Sequence, residues 1–341
     1  MSTELQILVI GDPHFRSRYI RTVDDFTTQV LDLIKARNPD MIVVLGDTLH
    51  DHETANIECQ PRAVDWFIEM SKHAHVVVLI GNHERPNNSD FLTNRHFFRG
   101  IGRERLLIVD KPESLTITKK GKDHRLVFVP YVPPGRFNEA LSKLEVPITS
   151  VKPLAIFAHQ EFKGCQMGII KSVEGDEWPQ DAPLVISGHI HEHEILGGNI
   201  IYVGTPYQTT YAEKDEKGVY IFQLGGVQLG VKRVHLKLRI KLNVNLTPVE
   251  FATFEITNPN ADWRIRIQGP QEAVDAVKYS NKYKEWKAKP NIKIQIVPIL
   301  ATPDIKPNFA KKNFVDALAD EIVSQKPHLK ILCQEMIDSV K

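Results

Sequence analysis

Gln6-Ile7-Leu8-Val9-Ile10-Gly11-Asp12-Pro13-His14 decides how this chain is read. A short apolar run rich in β-branched residues reads as a strand buried on both faces. It ends in a glycine turn that delivers a carboxylate and an imidazole two residues apart, a spacing that aims both to the same side of extended backbone. Working outward, the pattern recurs. Met41-Ile42-Val43-Val44-Leu45 runs into Gly46-Asp47, Val76-Val77-Val78-Leu79-Ile80 into Gly81-Asn82-His83-Glu84, and Leu184-Val185-Ile186 towards Gly188-His189-Ile190-His191, with His159 between the last two. Parallel α/β sheets carry their loops beyond the carboxyl ends of the strands, so residues placed there converge on one crevice.

Each motif alone is an ordinary strand-end turn. Their joint occurrence, in order, supplies oxygen and imidazole donors for two adjacent divalent ions of Mn, Fe, Zn or Mg type. Two such ions about 3.5–4 Å apart clamp the attacking and leaving oxygens of a phosphoryl displacement, so hydrolysis of a phosphate ester is expected. His73, His75, His96, His124, His193, His235 and His328 sit outside the pattern and read as ordinary surface or core histidines.

Over roughly residues 5–225 the chain resembles the calcineurin-like metallophosphoesterase superfamily. The resemblance implies an α/β fold, a four-layer α-β-β-α sandwich. It also implies that one ion takes Asp12, His14 and His191, that the other takes Asn82, His159 and His189, and that Asp47 bridges them. Water held between the ions is then the nucleophile. His83 matches the family's non-ligand histidine, which protonates the departing oxygen, and Glu84 is expected to orient it.

Within that superfamily, Ser/Thr protein phosphatases follow Gly-Asp with an Asp-Arg-Gly element. Here the segment is Gly46-Asp47-Thr48-Leu49-His50-Asp51. It is similar to the Gly-Asp-Leu-Phe-His of the DNA double-strand-break repair nucleases, the bacterial SbcD family and its short phage relatives. Ile201-Tyr202-Val203-Gly204-Thr205-Pro206 resembles the same family's strand and turn after Gly-His-x-His. His50 then becomes a second active-site histidine facing the substrate phosphate, with Arg16 and Arg18 as neighbouring DNA contacts. Two departures are visible: Glu84 where the family usually has Asp, and Phe15-Arg16 where it usually has Leu-Gly.

The resemblance implies a Mn²⁺-dependent exonuclease, with endonuclease activity also open, acting on double-stranded DNA ends beside an SbcC-like coiled-coil ATPase. It further implies a homodimer contact built from the helical region Pro61–Met70 and a helix near Asp90–Phe98. The alternatives are a phosphomonoesterase or cyclic-nucleotide phosphodiesterase on the same fold, and a DNA-end-binding scaffold with little catalysis.

With 341 residues, 42% hydrophobic and 25% charged, the chain can bury more than one core. Cys59, Cys165 and Cys333 form no zinc or disulfide pattern, which points to a reducing compartment, the cytoplasm. No leader and no apolar run of membrane-spanning length is seen, so no membrane association is expected.

Three parts are expected: a nuclease domain over 1–225, a smaller α+β DNA-binding cap over 226–301, and a linker with C-terminal helices over 302–341 that dock the ATPase. The net charge of +1 is unevenly spread. Residues 1–225 carry 24 Lys and Arg against 30 Asp and Glu, and residues 226–341 carry 19 against 12. The cap is therefore where a phosphate backbone is attracted. A strand over Val231–Ile240, with one apolar and one basic face, would carry Lys232, Arg233, Lys237 and Arg239, followed by Lys241. Further strands are expected near 263–268 and 292–297, with a helix near 271–286.

Overall fold

The computed structural model describes residues 3–52, 54, 56–213 and 216–299. Two six-stranded sheets form its centre. In the first, Leu5–Ile10, Met41–Val44, His75–Leu79 and Leu106–Val109 run parallel, extended antiparallel by Val219–Leu224 and then Gly230–Val234. In the second, Lys122–Val129, Ala155–His159, Val185–Gly188 and Ile200–Tyr202 run parallel between antiparallel edges Glu113–Lys119 and Glu194–Leu196.

Strand alternation sorts the side chains into layers. Leu5, Ile7 and Val9 meet Phe128, Phe157 and Ile186 between the two sheets. Leu8 and Ile10 face the other way, under the helices Ile20–Arg37 and Cys59–Ser71. The first of these helices buries Val23, Phe26, Val30 and Ile34 along one stripe and stops at Asn38 in the left-handed region, just before Pro39. The outer layer on the second sheet is thinner: the short helix Phe137–Leu141 and loops pack on Val127, Val129 and Ile156. The α-β-β-α sandwich is as the sequence implies.

Trp66, Phe67 and Met70, expected to cover the sheet for the most part, are all buried against the first sheet. Each such side chain contributes about 1.5–3 kcal/mol by leaving water, which makes these three side chains core. Residues 90–98 form turns and bends instead of a helix. A boundary at Leu224-Gly225-Gly226 also fails. The double glycine makes a hairpin turn, Gly225 at φ 90°, and the chain returns as Gly230–Val234 alongside Val219–Leu224.

The run expected as one basic strand over 231–240 therefore breaks in two. After Val234 it lies along the first helix, where Leu236 and Leu238 pack into the first core. The Lys237 amide donates to Gln29 Oε1 at 2.7 Å, and Gln29 Nε2 donates back to the Lys237 carbonyl at 3.1 Å.

Only then does the cap begin. Its sheet is parallel, Lys241–Leu246, Asp262–Pro270 and Ile292–Ile299 in that order. The helices Pro248–Thr253, Gln271–Tyr279 and Asn281–Lys287 supply its second core with Phe251, Val274, Val277 and Trp286. Thr247 starts the first of them with a reciprocal capping box to Glu250. The strand at 241–246 and this helix are absent from the sequence reading. The C-terminal helices expected over 302–341 lie outside the described residues.

Candidate metal centre

Five strand ends bring the donors together. Asp12 and His14 follow Leu5–Ile10, Asp47 follows Met41–Val44, Asn82 follows His75–Leu79, His159 closes Ala155–His159, and His189 and His191 follow Val185–Gly188. The crowding is paid for in backbone conformation. His14, Asp47 and His189 hold φ of 46°, 47° and 78°, strain of about 1–3 kcal/mol each that persists only where the surroundings over-determine it. A Cβ on Gly81 would fall 2.2 Å from Asp47 Oδ1, and one on Gly46 2.7 Å from His159 Nδ1. Glycine at these two positions is what lets the donors close up.

Two groups of donors result. His14 Nε2 and His191 Nε2 stand 3.0 Å apart. Asn82 Oδ1 lies 3.0 Å from His159 Nε2 and 3.1 Å from His189 Nδ1. Between the groups sits Asp47 Oδ2, 3.8 Å from His14 Nε2 and 3.5 Å from His159 Nε2. Asp12 Oδ1 accepts from the His189 amide at 3.1 Å, while its Oδ2 is buried with no partner. An orphaned carboxylate oxygen and imidazole nitrogens aimed at one another are costly alone and well suited to divalent cations. His159 Nδ1 donates to the Leu45 carbonyl at 2.7 Å, which turns Nε2 inward as a ligating nitrogen.

Electrostatics follow from burial and from Asp47. Burial holds His14 well below the ordinary histidine range, and burial with neighbouring His159 takes His189 down to about 3. Burial also pulls on His159, but the Asp47 carboxylate outweighs it and holds this histidine up at about 9. Asp47 itself is kept well below its usual range, because the surrounding histidines outweigh its burial. Asp12 is raised by burial.

His83 and His50 line the solvent side. His83 Nε2 is 3.8 Å from Asp47 Oδ2, and its Nδ1 donates to the His50 carbonyl at 2.5 Å. That carbonyl, not Glu84, fixes the ring. The Glu84 carboxylate instead accepts from the amides of Asp47, Leu49 and Gly81 at 2.9–3.0 Å, tying together the two loops that carry Asp47 and Asn82. Its longer reach places it under the backbone, and burial beside Asp47 pushes it up to about 8 against the pull of those amides. Arg16 Nη2 donates to His50 Nδ1 at 2.9 Å. Burial first, and then the Arg16 charge, lower His50 to about 4.

Several contributors escaped the sequence reading. The His52 ring lies tilted at 37° against that of His83, ring centres 3.8 Å apart. Glu213 is half-buried, 3.8 Å from His191 Nδ1 and 3.4 Å from Lys217. It sits in an acidic, lysine-rich turn that reads as ordinary surface, and only the hydroxyls of Thr205 and Thr209, which donate to it, hint otherwise. Glu161 Oε2 reaches within 4.0 Å of His189 Nε2.

Expected DNA contacts fare unevenly. Lys232 and Lys237 are exposed, Arg18 stacks on Tyr19, Arg233 donates to the Glu216 carbonyl, and Arg239 pairs with Asp262 at 3.1 Å. Lys241 is corrected: it is buried, its Nζ donating to the Gln208 carbonyl at 2.8 Å over the Tyr19 ring. It docks the cap rather than facing solvent. His124, His193 and His235 bond backbone carbonyls, and His96 faces Asp110, all apart from the donor groups.

The model of the calcineurin-like phosphoesterase family matches residues 5–193, the span that carries every donor. The chain belongs to that family. It is 35% identical over 281 residues to "Putative phosphoesterase 244L" of Invertebrate iridescent virus 6, covering 80% of this chain and 97% of that one. It is 30% identical to "Putative phosphoesterase 078R" of Invertebrate iridescent virus 3, covering 98% and 97%. The nuclease MPE of Pseudomonas putida is similar at 14% identity with a TM-score of 0.30, covering 64% of this chain and 84% of that one. For a phosphoesterase of this family, divalent metal at the Asp and His cluster is the expected cofactor. No helix among the described residues is long and apolar enough to cross a membrane.

Proposed function

We propose that this phosphoesterase is a nuclease that hydrolyses phosphodiester bonds at double-stranded DNA ends, as the catalytic partner of an SbcC-like coiled-coil ATPase. The observation that carries the reading is Asp47 Oδ2 standing between two donor groups, within 3.8 Å of one and 3.5 Å of the other. Two divalent ions, Mn²⁺ foremost, would be held by Asp12, His14 and His191 and by Asn82, His159 and His189, supplying charge for the phosphate oxygens and a water of lowered pKa.

The chain's own groups do the rest. His83, its Nε2 3.8 Å from Asp47 Oδ2 and its Nδ1 held by the His50 carbonyl, is placed beside the donor groups to protonate the departing oxygen. Arg16 occupies His50 Nδ1, so the neutral His50 ring carries its proton on Nε2 and can donate to a phosphate oxygen. Thr48-Leu49-His50 standing where protein phosphatases have Asp-Arg-Gly favours a nucleic-acid backbone over a phosphoprotein. The test is the purified chain with Mn²⁺ on linear duplex DNA, a cyclic nucleotide and a phosphomonoester. Cleavage of DNA alone is expected. Turnover confined to the small substrates would overturn the nuclease reading and leave the phosphoesterase one standing.

A further inference from the structure

We infer that Glu213 and Glu161 are positioning residues of the metal centre, one for each ion, an inference that rests on the two-ion assignment above. Glu213 orients the imidazole of His191 and Glu161 that of His189. An imidazole ligates a cation through one nitrogen, and whatever faces the other decides which nitrogen carries the proton and where the ring points. His191 turns Nε2 to its donor group, 3.0 Å from His14 Nε2, and Nδ1 to Glu213 Oε1 at 3.8 Å. His189 does the reverse. Its Nδ1 faces Asn82 Oδ1 at 3.1 Å and its Nε2 faces Glu161 Oε2 at 4.0 Å. An ionised carboxylate accepts and never donates, so at both rings it selects the form whose proton lies outside and whose inner nitrogen is open to a cation.

The two carboxylates are anchored alike. Each gives one oxygen to the scaffold and turns the other to a histidine. Glu213 Oε2 accepts from the Thr209 amide at 3.1 Å and the Thr205 hydroxyl at 3.3 Å, and Lys217 Nζ lies 3.4 Å from it. The oxygen left beside His191 is Oε1, which the Thr209 hydroxyl steadies. Glu161 Oε1 accepts from Ser172 Oγ at 2.5 Å. Ser172 is itself buried, and its Oγ accepts from the Gly175 amide at 3.0 Å. That leaves Glu161 Oε2 for His189.

The pairing is not a by-product of one loop. Glu161 stands two residues beyond His159 yet serves His189, and Glu213 reaches His191 from a turn that lies past Thr205. His159 shows the same arrangement with a weaker acceptor, its Nδ1 donating to the Leu45 carbonyl. A carboxylate makes the ligating nitrogen more basic, so His189 and His191 are where affinity is set separately for the two ions.

The experiment is calorimetric titration of the full metal-free chain with Mn²⁺. Removing an outer partner of this kind weakens metal binding by about 10–100-fold. Glu213→Ala and Glu161→Ala should each weaken one of the two binding steps by that factor and spare the other. Histidine backgrounds show which. In a His191→Ala chain, adding Glu161→Ala should raise the Kd of the remaining ion by about 10–100-fold, and adding Glu213→Ala should leave it unchanged. In a His189→Ala chain the two should trade places. A merely structural role would weaken the remaining ion in all four chains; that result, or no loss in any, would overturn the inference. Thermal melts accompany each titration. Where an alanine variant melts early, Glu213→Gln and Glu161→Gln, which keep the length and an acceptor oxygen, carry the same cycle with a loss of about tenfold. Wild type that takes up a single ion would overturn the two-ion assignment along with these roles, whereas two ions in wild type with unselective losses would overturn the roles alone.

Discussion

The metal centre and the cap sheet both gather polar side chains on strands, yet they do so in opposite ways. At the centre, Asp12, His14, Asp47 and His159 are buried and drawn from three different strand ends, His14 and Asp47 in strained backbone. On the cap, Arg264, Arg266 and Lys293 stand on adjacent strands in relaxed extended backbone and meet solvent. Buried donors must be placed to a fraction of an ångström, because each is costly unless its partner is present. Exposed cations need only approximate placement, since water and salt screen them. Single substitutions should therefore be decisive at the centre and incremental on the cap.

The largest effect is expected at Asp47. Asp47→Ala removes the carboxylate shared by both donor groups and should abolish measurable turnover and lower bound metal by more than one ion per chain, whereas His191→Ala should keep one. Elemental analysis of both variants after dialysis checks this, and two ions retained without Asp47 would end the bridging assignment.

His83→Ala comes next. A positioned general acid is worth about 10²–10⁴-fold, so kcat should fall by that factor with metal content intact. Loss of both ions would instead make His83 a ligand. Glu84→Ala breaks the comparison differently. Three buried amides lose their acceptor, each costing about 1–3 kcal/mol, so the expected signature is a lower melting temperature before any specific loss of chemistry. An unchanged melt would show that the carboxylate does not tie the loops.

A pH prediction follows from His159. Held at about 9 by Asp47, it is protonated in the metal-free chain at neutral pH, while His14 and His189, pushed down by burial, are not. A ligating imidazole must be neutral, so loading metal at pH 7 should release at least one proton per chain, that of His159, a release that is lost well above pH 9. Metal affinity should rise with pH up to that point. Calorimetry in buffers of different ionisation enthalpy measures the proton count; a count of zero at pH 7 would contradict the Asp47–His159 pairing.

The smallest effects belong to two lysines on either side of the cap boundary. Lys241→Ala loses a buried bond and should cost about 1–3 kcal/mol of stability. Lys232→Ala, at an exposed position of the first sheet, should stay within about 0.5 kcal/mol in the same melt. Equal melts would mean that Lys241 does not dock the cap.

The convergence of the donors was legible because strand ends in a parallel sheet meet whatever joins them, while the four-layer sandwich and the sorting of the donors came from the family resemblance. What was illegible depended on packing between distant segments. Glu84 could not be seen to reach three amides instead of His83. Glu213 looked like part of a surface turn. The basic run after Val231 gave no sign that Leu236 and Leu238 would turn into the first core, and this moved the cap boundary and buried Lys241. Arg264 and Arg266 were visible only as charges until the register placed Lys293 beside them.

The most direct test of the central claim is electron paramagnetic resonance of the full chain titrated with Mn²⁺. If Asp47 joins two ions about 3.5–4 Å apart, saturation occurs at two ions per chain with the broadened spectrum of an exchange-coupled pair. A single six-line signal that saturates at one ion per chain, or two uncoupled ions, would contradict the account.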